Sequence, residues 1–552
     1  MKLSPGHALV LATSLVVSSA GLAQTAPNAG ETLQQLQPPP VAPRPNPEVA
    51  LPTTPKAAVP KSPTEATVVL HAIHFVGNTQ VATDELQHTL ANALEQPLDL
   101  AGLRQLAERI DALYRARGYP FARAVLPPQD LKDGTLQIDI FEGRYGQVTA
   151  ESADPKLAQQ AQRFLAPLQP GAVIATASLE RAVLILNDQP GVATTPVIKP
   201  GAESGTGDLG VKVERTALIT GDVGLDNWGS RFSGQYRAQA NLAINSPFQL
   251  GDQITLRTLA SNEDLLLGSL NYNTPLGTSG LRGSAGYAYT SYELGKEFAN
   301  LGATGVAKVT TGSVSYPLIR SMASNLSLTT AFQSKELHDE RSSVGSEEER
   351  SSISLPISLQ FDRRDLWCGG GITYGSVSWT PGRLDLDANL TAADTTDTRG
   401  TFHKFNVDVV RIQYLPQGWS LMGRINAQAA ANNLDSSEKL SLGGASGIRA
   451  YPTGEATGDQ GLLAQAELRY AVGAFTPYLF VDAGRIYQNT HPTASTTANE
   501  RDLSGVGLGV RFQRNRWSAD LALAWRTSGG APESDTSSEP MPRIWLRAGY
   551  GF

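Results

Sequence analysis

The C-terminal part of the chain alternates apolar and polar residues with a period of two, from about residue 217 to the end. In "WSADLALAW", Trp517, Leu521 and Trp525 fall on one face, whereas Ser518 and Asp520 fall on the other. Successive side chains of a β-strand point to opposite sides of the sheet. The pattern therefore predicts a long series of strands, each with one apolar and one polar face.

Sixteen such strands are predicted. They lie near residues 219–227, 233–245, 251–261, 265–276, 281–295, 305–319, 324–337, 350–363, 370–381, 403–416, 419–430, 461–472, 475–488, 501–514, 517–528 and 543–552. Connections after even-numbered strands are short, and several after odd-numbered strands are long: 382–402, 489–500 and 529–542. This arrangement predicts an all-β, 16-stranded transmembrane antiparallel β-barrel with its short turns in the periplasm. A soluble sandwich also alternates, but the strand count, the aromatic strand ends and the N-terminus favour the membrane.

The first 66 residues contain no such strands. Residues 1–23 combine Lys2, an apolar core and small residues before a cut after Ala23, which is the pattern of a secretory signal peptide. The apolar core is shorter than the roughly 20 residues of a transmembrane helix. Residues 24–37 contain a weak helical segment, and residues 38–66 contain ten prolines. Proline fixes φ and removes a donor, so we expect an extended linker there.

Residues 67–143 and 144–214 each predict the order β-α-α-β-β. In the first unit, Leu103, Leu106 and Ile110 share one face of a helix, and Asp133-Gly134 marks the turn of a hairpin. The second unit repeats this order more loosely. The sequence therefore predicts two tandem α+β domains between the linker and the barrel.

Composition excludes several functional classes. The formal net charge of −7 does not favour nucleic-acid binding, which calls for a basic face. The single cysteine, Cys368, cannot form an internal disulfide, and no Cys/His spacing resembles a metal site. We expect no cofactor and no metal. The one histidine predicted within a barrel strand, His403, has no nucleophile motif beside it, so the pattern does not favour an enzyme.

The predicted loop between strands eleven and twelve (431–460) is unusual for an external loop. It contains "GGASGIRAYPTGEATGDQG", a glycine-rich stretch with a lone arginine beside a tyrosine. A phosphate-binding P-loop requires G-x-x-x-x-G-K-[ST] between a buried strand and a helix, and neither the motif nor the helix is present. A flexible, solvated loop is the simpler alternative.

A resemblance to a known family accounts for this loop. The run "LPPQDLKDGTLQIDIFEGR" is similar to the end of a POTRA domain, a periplasmic module attached to certain outer-membrane barrels. The run "LGGASGIRAYPTGEATGDQGLLAQAELRY" resembles the two-partner secretion transporters of the haemolysin secretion/activation type (ShlB/FhaC/HecB, TpsB). Their sixth extracellular loop carries a V/I-R-G-F/Y motif, which matches Ile448, Arg449, Ala450 and Tyr451 here, with alanine in place of the usual glycine.

The resemblance implies a specific geometry. The loop should fold back into the barrel, where Arg449 pairs with an acid on strand thirteen in "PYLFVDAGR". That acid is Asp482, flanked by Phe480 and Gly484, and alternation places it on the lumen face. Residues 24–37 should form a plug helix, and Phe552 resembles the C-terminal signal read by the barrel-insertion machinery. The other lumen charges are expected to be simply solvated: Arg237, Arg257, Arg424, Glu467, Arg469, Asp520 and Arg526.

The function implied is that of an outer-membrane pore that secretes a partner exoprotein of the haemolysin or adhesin type. POTRA domains capture the unfolded partner by adding a strand to an exposed sheet edge. The other implied partners are outer-membrane lipid, the barrel-insertion machinery and periplasmic chaperones, with no nucleic acid. The alternatives are an outer-membrane assembly or insertion factor related to the BAM insertase, an outer-membrane enzyme and a passive porin.

Overall fold

The computed structural model describes residues 26–36, 67–494, 496, 498–535 and 541–552. The predicted signal peptide (1–23) and Pro-rich linker (38–66) lie outside these residues, as do the ends of segment 24–37. Within the described part of the chain, no helix is long and apolar enough to cross a membrane. The first element, helix α1 (Ala29–Gln35), lies inside the barrel.

Residues 67–143 form a three-stranded sheet packed against two helices. The elements are β1 (Val68–Val69), β2 (Ala72–Val76), α2 (Thr83–Leu90), a 3-10 helix (Ala91–Ala93), β3 (Pro97–Leu98), α3 (Leu100–Ala116), β4 (Arg123–Val125) and β5 (Thr135–Phe141). The strand order is β2-β5-β4, with β2 parallel and β4 antiparallel to β5. Helix α3 begins at the Asp99 cap, whose carboxylate accepts the Gly102 amide at 2.7 Å, and buries Leu103, Leu106 and Ile110.

Residues 144–215 form a second unit with the same topology. Its elements are β6 (Arg144–Glu151), α4 (Pro155–Leu165), α5 (Thr176–Asn187), β7 (Val192–Pro200) and β8 (Thr206–Arg215). The strand order is β6-β8-β7, and β6 runs parallel to β8. Helix α5 is largely buried because one face packs on its own sheet and another contacts the barrel.

A buried carboxylate joins the elements of the first unit. Glu142 lies in the short link between β5 and β6 and accepts the Thr79 and Gln80 amides at 2.6 and 2.7 Å and the Tyr114 hydroxyl at 3.1 Å. Burial works to raise the pKa of Glu142, but the hydrogen bonds from Thr79 and Gln80 hold it below its usual range. Glu142 therefore stays ionised and fixes the β2–α2 turn against the last strand.

The second unit is docked on one rim of the barrel. Arg181 of α5 donates to the Pro317 carbonyl at 2.9 Å, and Asp188 accepts Arg320 at 2.7 Å. Leu250, from a barrel turn, belongs to the same apolar cluster as the core of the second unit. The interface therefore combines a shared apolar core with ion pairs around it.

The barrel has sixteen antiparallel strands, as predicted. They are β9 (Ile219–Asp226), β10 (Arg237–Asn245), β11 (Gln253–Ser261), β12 (Leu266–Pro275), β13 (Arg282–Glu293), β14 (Ala303–Arg320), β15 (Ser324–Arg341), β16 and β17 (Ser346–Ser354 and Ile357–Asp365, two halves of the eighth strand), β18 (Gly371–Leu386), β19 (Gly400–Tyr414), β20 (Trp419–Ala430), β23 (Gln460–Tyr470), β24 (Phe475–Tyr487), β25 (Glu500–Arg514), β26 (Trp517–Ser528) and β27 (Arg543–Gly551). Strand β27 pairs with β9 and closes the barrel.

The connections separate two rims. Short turns follow the even-numbered strands, and the second unit docks on this short-turn rim. The opposite, long-loop rim carries α6 (Ala388–Ala393), a 3-10 helix (Lys296–Leu301) and the eleventh connection, which contains a 3-10 helix (Ser436–Glu438) and the small hairpin β21 (Leu440–Ser441) and β22 (Thr457–Gly458). Two further 3-10 helices, Trp367–Gly369 and Pro416–Gly418, lie in short turns.

Several strands are longer than predicted at the long-loop rim. Strand β15 was expected to end at residue 337 but continues to Arg341, so His338 also lies in a barrel strand and His403 is not the only such histidine. The outward face of β15 becomes polar beyond Phe332, where Glu336, His338 and Glu340 follow. The outward apolar residues that reveal the strand in the sequence therefore end before the strand itself ends.

The outer surface of the barrel is apolar and the inner surface is polar. On β27, Ile544 and Leu546 are exposed, whereas Trp545 between them is buried in the lumen. Near the short-turn rim, outward aromatic rings pair across strands, with Trp419–Tyr470 and Trp517–Tyr550 centroids 4.8 Å apart. An aromatic belt at the edge of an apolar band is typical of a barrel at a membrane interface.

The Glu142 network yields a test of the first unit. Replacing Glu142 by alanine leaves the Thr79 and Gln80 amides without their buried acceptor, which should cost about 2 kcal/mol of local stability. Hydrogen exchange of these amides in the full-length protein in micelles should accelerate about 30-fold. The matched change Glu108→Ala, on the exposed side of α3, should alter exchange by less than about threefold. Equal effects of the two changes would remove Glu142 as the organising group.

Candidate functional site

The eleventh connection, residues 431–459, folds into the barrel instead of projecting from it. Beyond the β21–β22 hairpin its tip turns back on itself, with the Ile448 amide donating to the Leu442 carbonyl at 2.7 Å. Side chains at Gly443 or Gly447 would collide with backbone carbonyls of the same loop. Glycine is required at these two positions because the two arms of the tip pass so closely.

The tip is attached to the wall by an arginine. Arg449 donates from Nε and Nη2 to the two carboxylate oxygens of Asp482 at 2.8 and 2.7 Å, and its backbone amide donates to Oδ2 at 3.1 Å. Asp482 has 0% of its surface exposed and Arg449 has 5%. The structure thus brings together the two residues that the family resemblance implies as partners, in a bidentate geometry.

A second acid, Glu467, completes the arginine site. Arg449 Nη1 donates to Glu467 Oε1 at 2.6 Å, and Arg469 and Arg511 approach the same carboxylate at 2.6 and 3.0 Å. The expectation that Glu467 is simply solvated is wrong, because Glu467 is 2% exposed and contacts three guanidinium groups. It lies on β23, adjacent to β24, so the hairpin register places it beside the lumen face that carries Asp482.

Asp520 and Arg424 were also expected to be solvated, but both belong to the same network of charged groups. Asp520 accepts Arg511 at 3.0 Å and the Tyr478 hydroxyl at 2.7 Å. Arg424 pairs with Asp408 at 2.7 Å and also donates to the carbonyl of Ser446 in the loop tip at 3.0 Å. The wall around the tip is therefore an ordered set of alternating charges.

Of three further charges that were expected to be solvated, Arg237 and Arg257 lie elsewhere on the wall, whereas Arg526 lies beside the loop tip, 6.0 Å from the centre of the Tyr451 ring. Arg237 pairs with the buried Asp226 at 2.8 Å, and Arg257 donates to the Leu36 carbonyl at the end of α1 at 3.1 Å. Arg526 donates to the Gly530 carbonyl at 3.3 Å. None of the three is only solvated.

Aromatic groups enclose the Arg449 guanidinium. The Phe480 ring centroid lies 3.5 Å from the guanidinium carbon, and the Trp545 indole donates to the Arg449 carbonyl at 2.7 Å. A cation stacked on a ring and shielded from water is attracted to it electrostatically. Burial works to lower the pKa of Arg449, but Asp482 and Glu467 hold it above its usual range, so the guanidinium stays charged.

Alanine at position 450 of the motif is compatible with the local backbone and with its surroundings. Ala450 does not have a positive φ, so its backbone conformation does not require glycine. Its methyl group lies against Gly505 of β25, where any side chain would collide with it. The departure from the usual glycine at position 450 is therefore accommodated by Gly505, which pairs with Asp482 across β24 and β25.

The remaining predicted site residues are also placed. Tyr451 is fully buried and donates to the Ser528 carbonyl at 2.6 Å, and Ile448 packs beside Leu442. A side chain at Gly484 would come within 3.2 Å of Ile448, so this glycine makes room for the tip. Phe552 is remote from the loop, exposed on the outer face, and its amide donates to Gly221 at the barrel seam at 2.9 Å.

The root of the loop has its own ion pairs, with side chains of β15 and β19. Glu438 contacts Lys335 and Lys404 at 2.5 and 2.7 Å, and all three side chains are mostly buried. Burial works to raise the pKa of Glu438, but Lys404 and Lys335 lower it to about 2. Asp435 pairs with Arg350 at 3.1 Å. The resemblance did not point to these residues.

Helix α1 is wedged between this root and the wall. The Ala29 amide donates to Asp339 at 2.8 Å, and Gln34 donates to the Ser437 carbonyl. Ser436 donates to Asn28, the N-cap of α1, at 2.8 Å. Burial raises the pKa of Glu31 to about 7, although its hydrogen bond with Asn28 and the nearby Arg350 lower it.

Two buried acids of the loop organise the long-loop rim. Glu455 accepts the Glu533 and Ser534 amides at 2.8 Å each and pairs with Arg501. Asp459 accepts the Leu434 and Thr490 amides at 3.1 and 2.8 Å. Sequence reasoning missed both residues because acids in a glycine-rich external loop are expected to be solvated.

A possible metal-ligand set lies away from this site. His338, Glu347 and Glu349 bring ligand atoms within 4.8 Å of one another on the exposed outer face near the long-loop rim. This group has no contact with the loop motif. Within the described residues, the site at the tip of the eleventh connection, here called loop 6, is built from ion pairs, aromatic rings and backbone groups.

Comparisons with known proteins agree with this geometry. A model described as haemolysin secretion/activation protein ShlB/FhaC/HecB matches residues 205–512, and a ShlB-type POTRA model matches residues 68–143. The heme/hemopexin transporter protein HuxB of Haemophilus influenzae is 29% identical over 451 residues, covering 79% of each chain. The outer membrane transporter CdiB of Dickeya dadantii is 24% identical over 482 residues, covering 83% of each.

A solved structure has the same fold. CdiB from Escherichia coli superimposes with a TM-score of 0.72 at 21% identity, covering 92% of this chain and 94% of that one. Since the secretion/activation model spans more than half of the 552 residues, the chain belongs to the ShlB/FhaC/HecB family of haemolysin secretion/activation proteins, outer-membrane β-barrels with POTRA domains in the periplasm.

Proposed function

We propose that the chain exports an unfolded partner exoprotein, of the haemolysin or adhesin type, through the barrel by two-partner secretion. The observation that supports this most strongly is the inward fold of loop 6, with Arg449 held by Asp482 and Glu467 on the lumen wall. A passive porin would not explain a periplasmic module docked on its rim. The site contains the elements of a gated conduit.

The periplasmic units receive the partner in this proposal. We assign both α/β units, 67–143 and 144–214, as POTRA domains. Their sheets end in free edges, and β7 (Val192–Pro200) is the longest edge strand of the two sheets. An extended segment of the partner adds to such an edge through main-chain hydrogen bonds. Docking of the second unit on the short-turn rim then directs the segment to the pore.

Gating is assigned to loop 6 and α1. The tip of the loop is pinned to β23 and β24, and the root is pinned to β15 and β19, so the loop crosses the lumen. Helix α1 fills space beside the root, as a plug helix would. Export requires these groups to leave the path, and ion pairs suit this task because water replaces them when the loop moves.

The capture role is tested by removing the two units. Deletion of residues 67–214, with the signal peptide and linker kept, should abolish export of the cognate exoprotein because the chain no longer binds it in the periplasm. Export is measured as exoprotein in the medium. Barrel assembly is checked by the heat-dependent mobility of the protein on gels, which should be unchanged. Normal export by the assembled barrel would rule out capture by these units.

The Arg449 contact is tested by a double-mutant cycle. Arg449→Ala leaves two buried acids without their cation, and Asp482→Ala leaves a buried cation with one acid, so each should loosen the tip by about 3 kcal/mol. Secretion should fall at least tenfold in both. The double variant should be less impaired than the sum of the single effects predicts, with a coupling of about 1–3 kcal/mol in loop protection from hydrogen exchange.

A matched control lies on the same strand. Arg485 pairs with Asp502 at 2.6 Å, but half of its side chain is exposed, and such pairs contribute about 1 kcal/mol or less. Arg485→Ala should leave secretion and loop protection near the native level. Strictly additive effects of the Arg449 and Asp482 changes would show that the two residues act separately.

The plug role of α1 predicts a pH dependence. The pKa of Glu31 is about 7 in the docked helix, above its usual 4.5, so the docked state holds a proton more tightly than the released state. Docking is therefore strongest at low pH and weakens as pH rises toward 7. Channel openings of the full-length protein in planar bilayers should become more frequent between pH 5 and 7.

The Glu31→Gln variant isolates this effect. Glutamine mimics the protonated carboxyl, so its openings should stay rare and independent of pH across the same range. The control Glu108→Gln, on an exposed helix of the first unit, should keep the native pH dependence. An unchanged pH profile in Glu31→Gln would show that protonation of Glu31 does not control the openings.

A further inference from the structure

The turn that joins β17 to β18 exposes two large apolar side chains at the periplasmic rim. Leu366 is 93% exposed and Trp367 is 69% exposed. They precede Cys368 in a short turn that contains the 3-10 helix Trp367–Gly369. Burial of such side chains is favourable, so their presentation in water calls for an explanation.

The turn is held rigidly by its neighbours. The Gln413 side-chain nitrogen, which has two N–H groups to donate, lies 2.9, 3.1 and 2.8 Å from the carbonyl oxygens of Trp367, Cys368 and Gly370. The Trp367 amide donates to Asp365 at 3.1 Å. One buried side chain of β19 thus fixes three carbonyls of the turn, and the exposed pair is presented in a fixed conformation.

A charged pair accompanies the apolar residues. Arg411 donates to both carboxylate oxygens of Asp365 at 2.5 and 2.9 Å, and its guanidinium carbon lies 5.9 Å from the centre of the Trp367 ring. Both charged residues lie on the outward face, in line with the exposed Leu359 of β17. The turn therefore continues the lipid-facing surface of the barrel.

This combination matches the chemistry of a phospholipid headgroup layer. Tryptophan is enriched at membrane interfaces because it has an apolar ring and a polar N–H group. We propose that the Leu366–Trp367 turn inserts into the headgroup region of the periplasmic leaflet and anchors this side of the barrel in the membrane. The continuity with the lipid-facing surface selects lipid as the occupant.

The anchor would have a mechanical consequence for the docked unit. The neighbouring short turn carries Met322, whose amide donates to Glu180 of the second unit at 2.9 Å, and Arg320, which pairs with Asp188. The anchor and the docking contacts therefore occupy successive turns of one rim. Fixing the anchor to the leaflet fixes the height and tilt at which the second unit meets the membrane.

The lone cysteine provides the probe. Cys368 is the only cysteine in the chain and is exposed in this turn, so a nitroxide label can be attached to it without other changes. The full-length protein is reconstituted in vesicles of phosphatidylethanolamine and phosphatidylglycerol. We expect collisions of the label with oxygen, which partitions into lipid, to exceed those with a water-soluble nickel chelate at least threefold.

Two variants decide the interpretation. Leu366→Asp with Trp367→Asp should reverse the preference at least threefold, toward the nickel chelate, because the turn then leaves the headgroups. The control Val344→Asp, at an exposed position of the opposite rim, should leave the label unchanged.

Three results would each overturn the proposal. The label in the native protein could collide more with the nickel chelate than with oxygen, or its collision rates could stay the same in the double variant. The third is a label that becomes protected from the nickel chelate only when the exoprotein is added. The last result would identify the turn as a partner site instead. Heat-dependent gel mobility checks that every variant is a folded barrel.

Discussion

The buried guanidinium of Arg449 determines how the centre of this barrel is arranged. A cation with 5% of its surface exposed is tolerated only if its charge is compensated and its donors are satisfied. Two acids on adjacent strands, Asp482 and Glu467, provide this compensation, and Phe480 stacks beneath the ion. The loop can meet these groups only by folding inward. Its glycines and the gap left by Gly505 are consequences of that path.

Loop 6 is attached to the barrel wall at both its tip and its root. The tip is held on β23 and β24, and the root is held through Glu438 on β15 and β19. Helix α1 hydrogen-bonds to the same root, through Ser436 and Ser437. Movement of the helix therefore exposes the root to water, and movement of the root removes partners from the helix. The two obstructions of the lumen are connected through residues 436–438.

Much of this arrangement follows from the sequence, and the limits have physical causes. Period-two alternation locates strands wherever one face meets lipid, but it disappears beyond Phe332 of β15, where the outward face becomes polar. Alternation and the family resemblance together indicate Asp482 as the partner of Arg449. Glu467 was missed because an acid on the lumen face of one strand looks solvated until the register with the next strand is known. The root contact of Glu438 joins residues about 100 positions apart, and no local pattern records it.

A charged attachment suits a gate better than an apolar one of equal strength. The tip has both kinds of contact, because Ile448, Ala450 and Tyr451 also pack in an apolar cluster on the wall, and releasing that cluster exposes apolar surface at a cost that grows with its area. The charged groups behave differently, because water solvates Arg449, Asp482 and Glu467 when they separate. The net energy of their contact is therefore small compared with the bare attraction between the charges. What the ion pairs supply is geometry, because the bidentate fork accepts one orientation of the loop and rejects others. A pore that must remain closed to solutes and yet admit a long polypeptide requires a precise closed state, and the ion pairs provide this precision at a lower cost of opening than an apolar contact of equal strength.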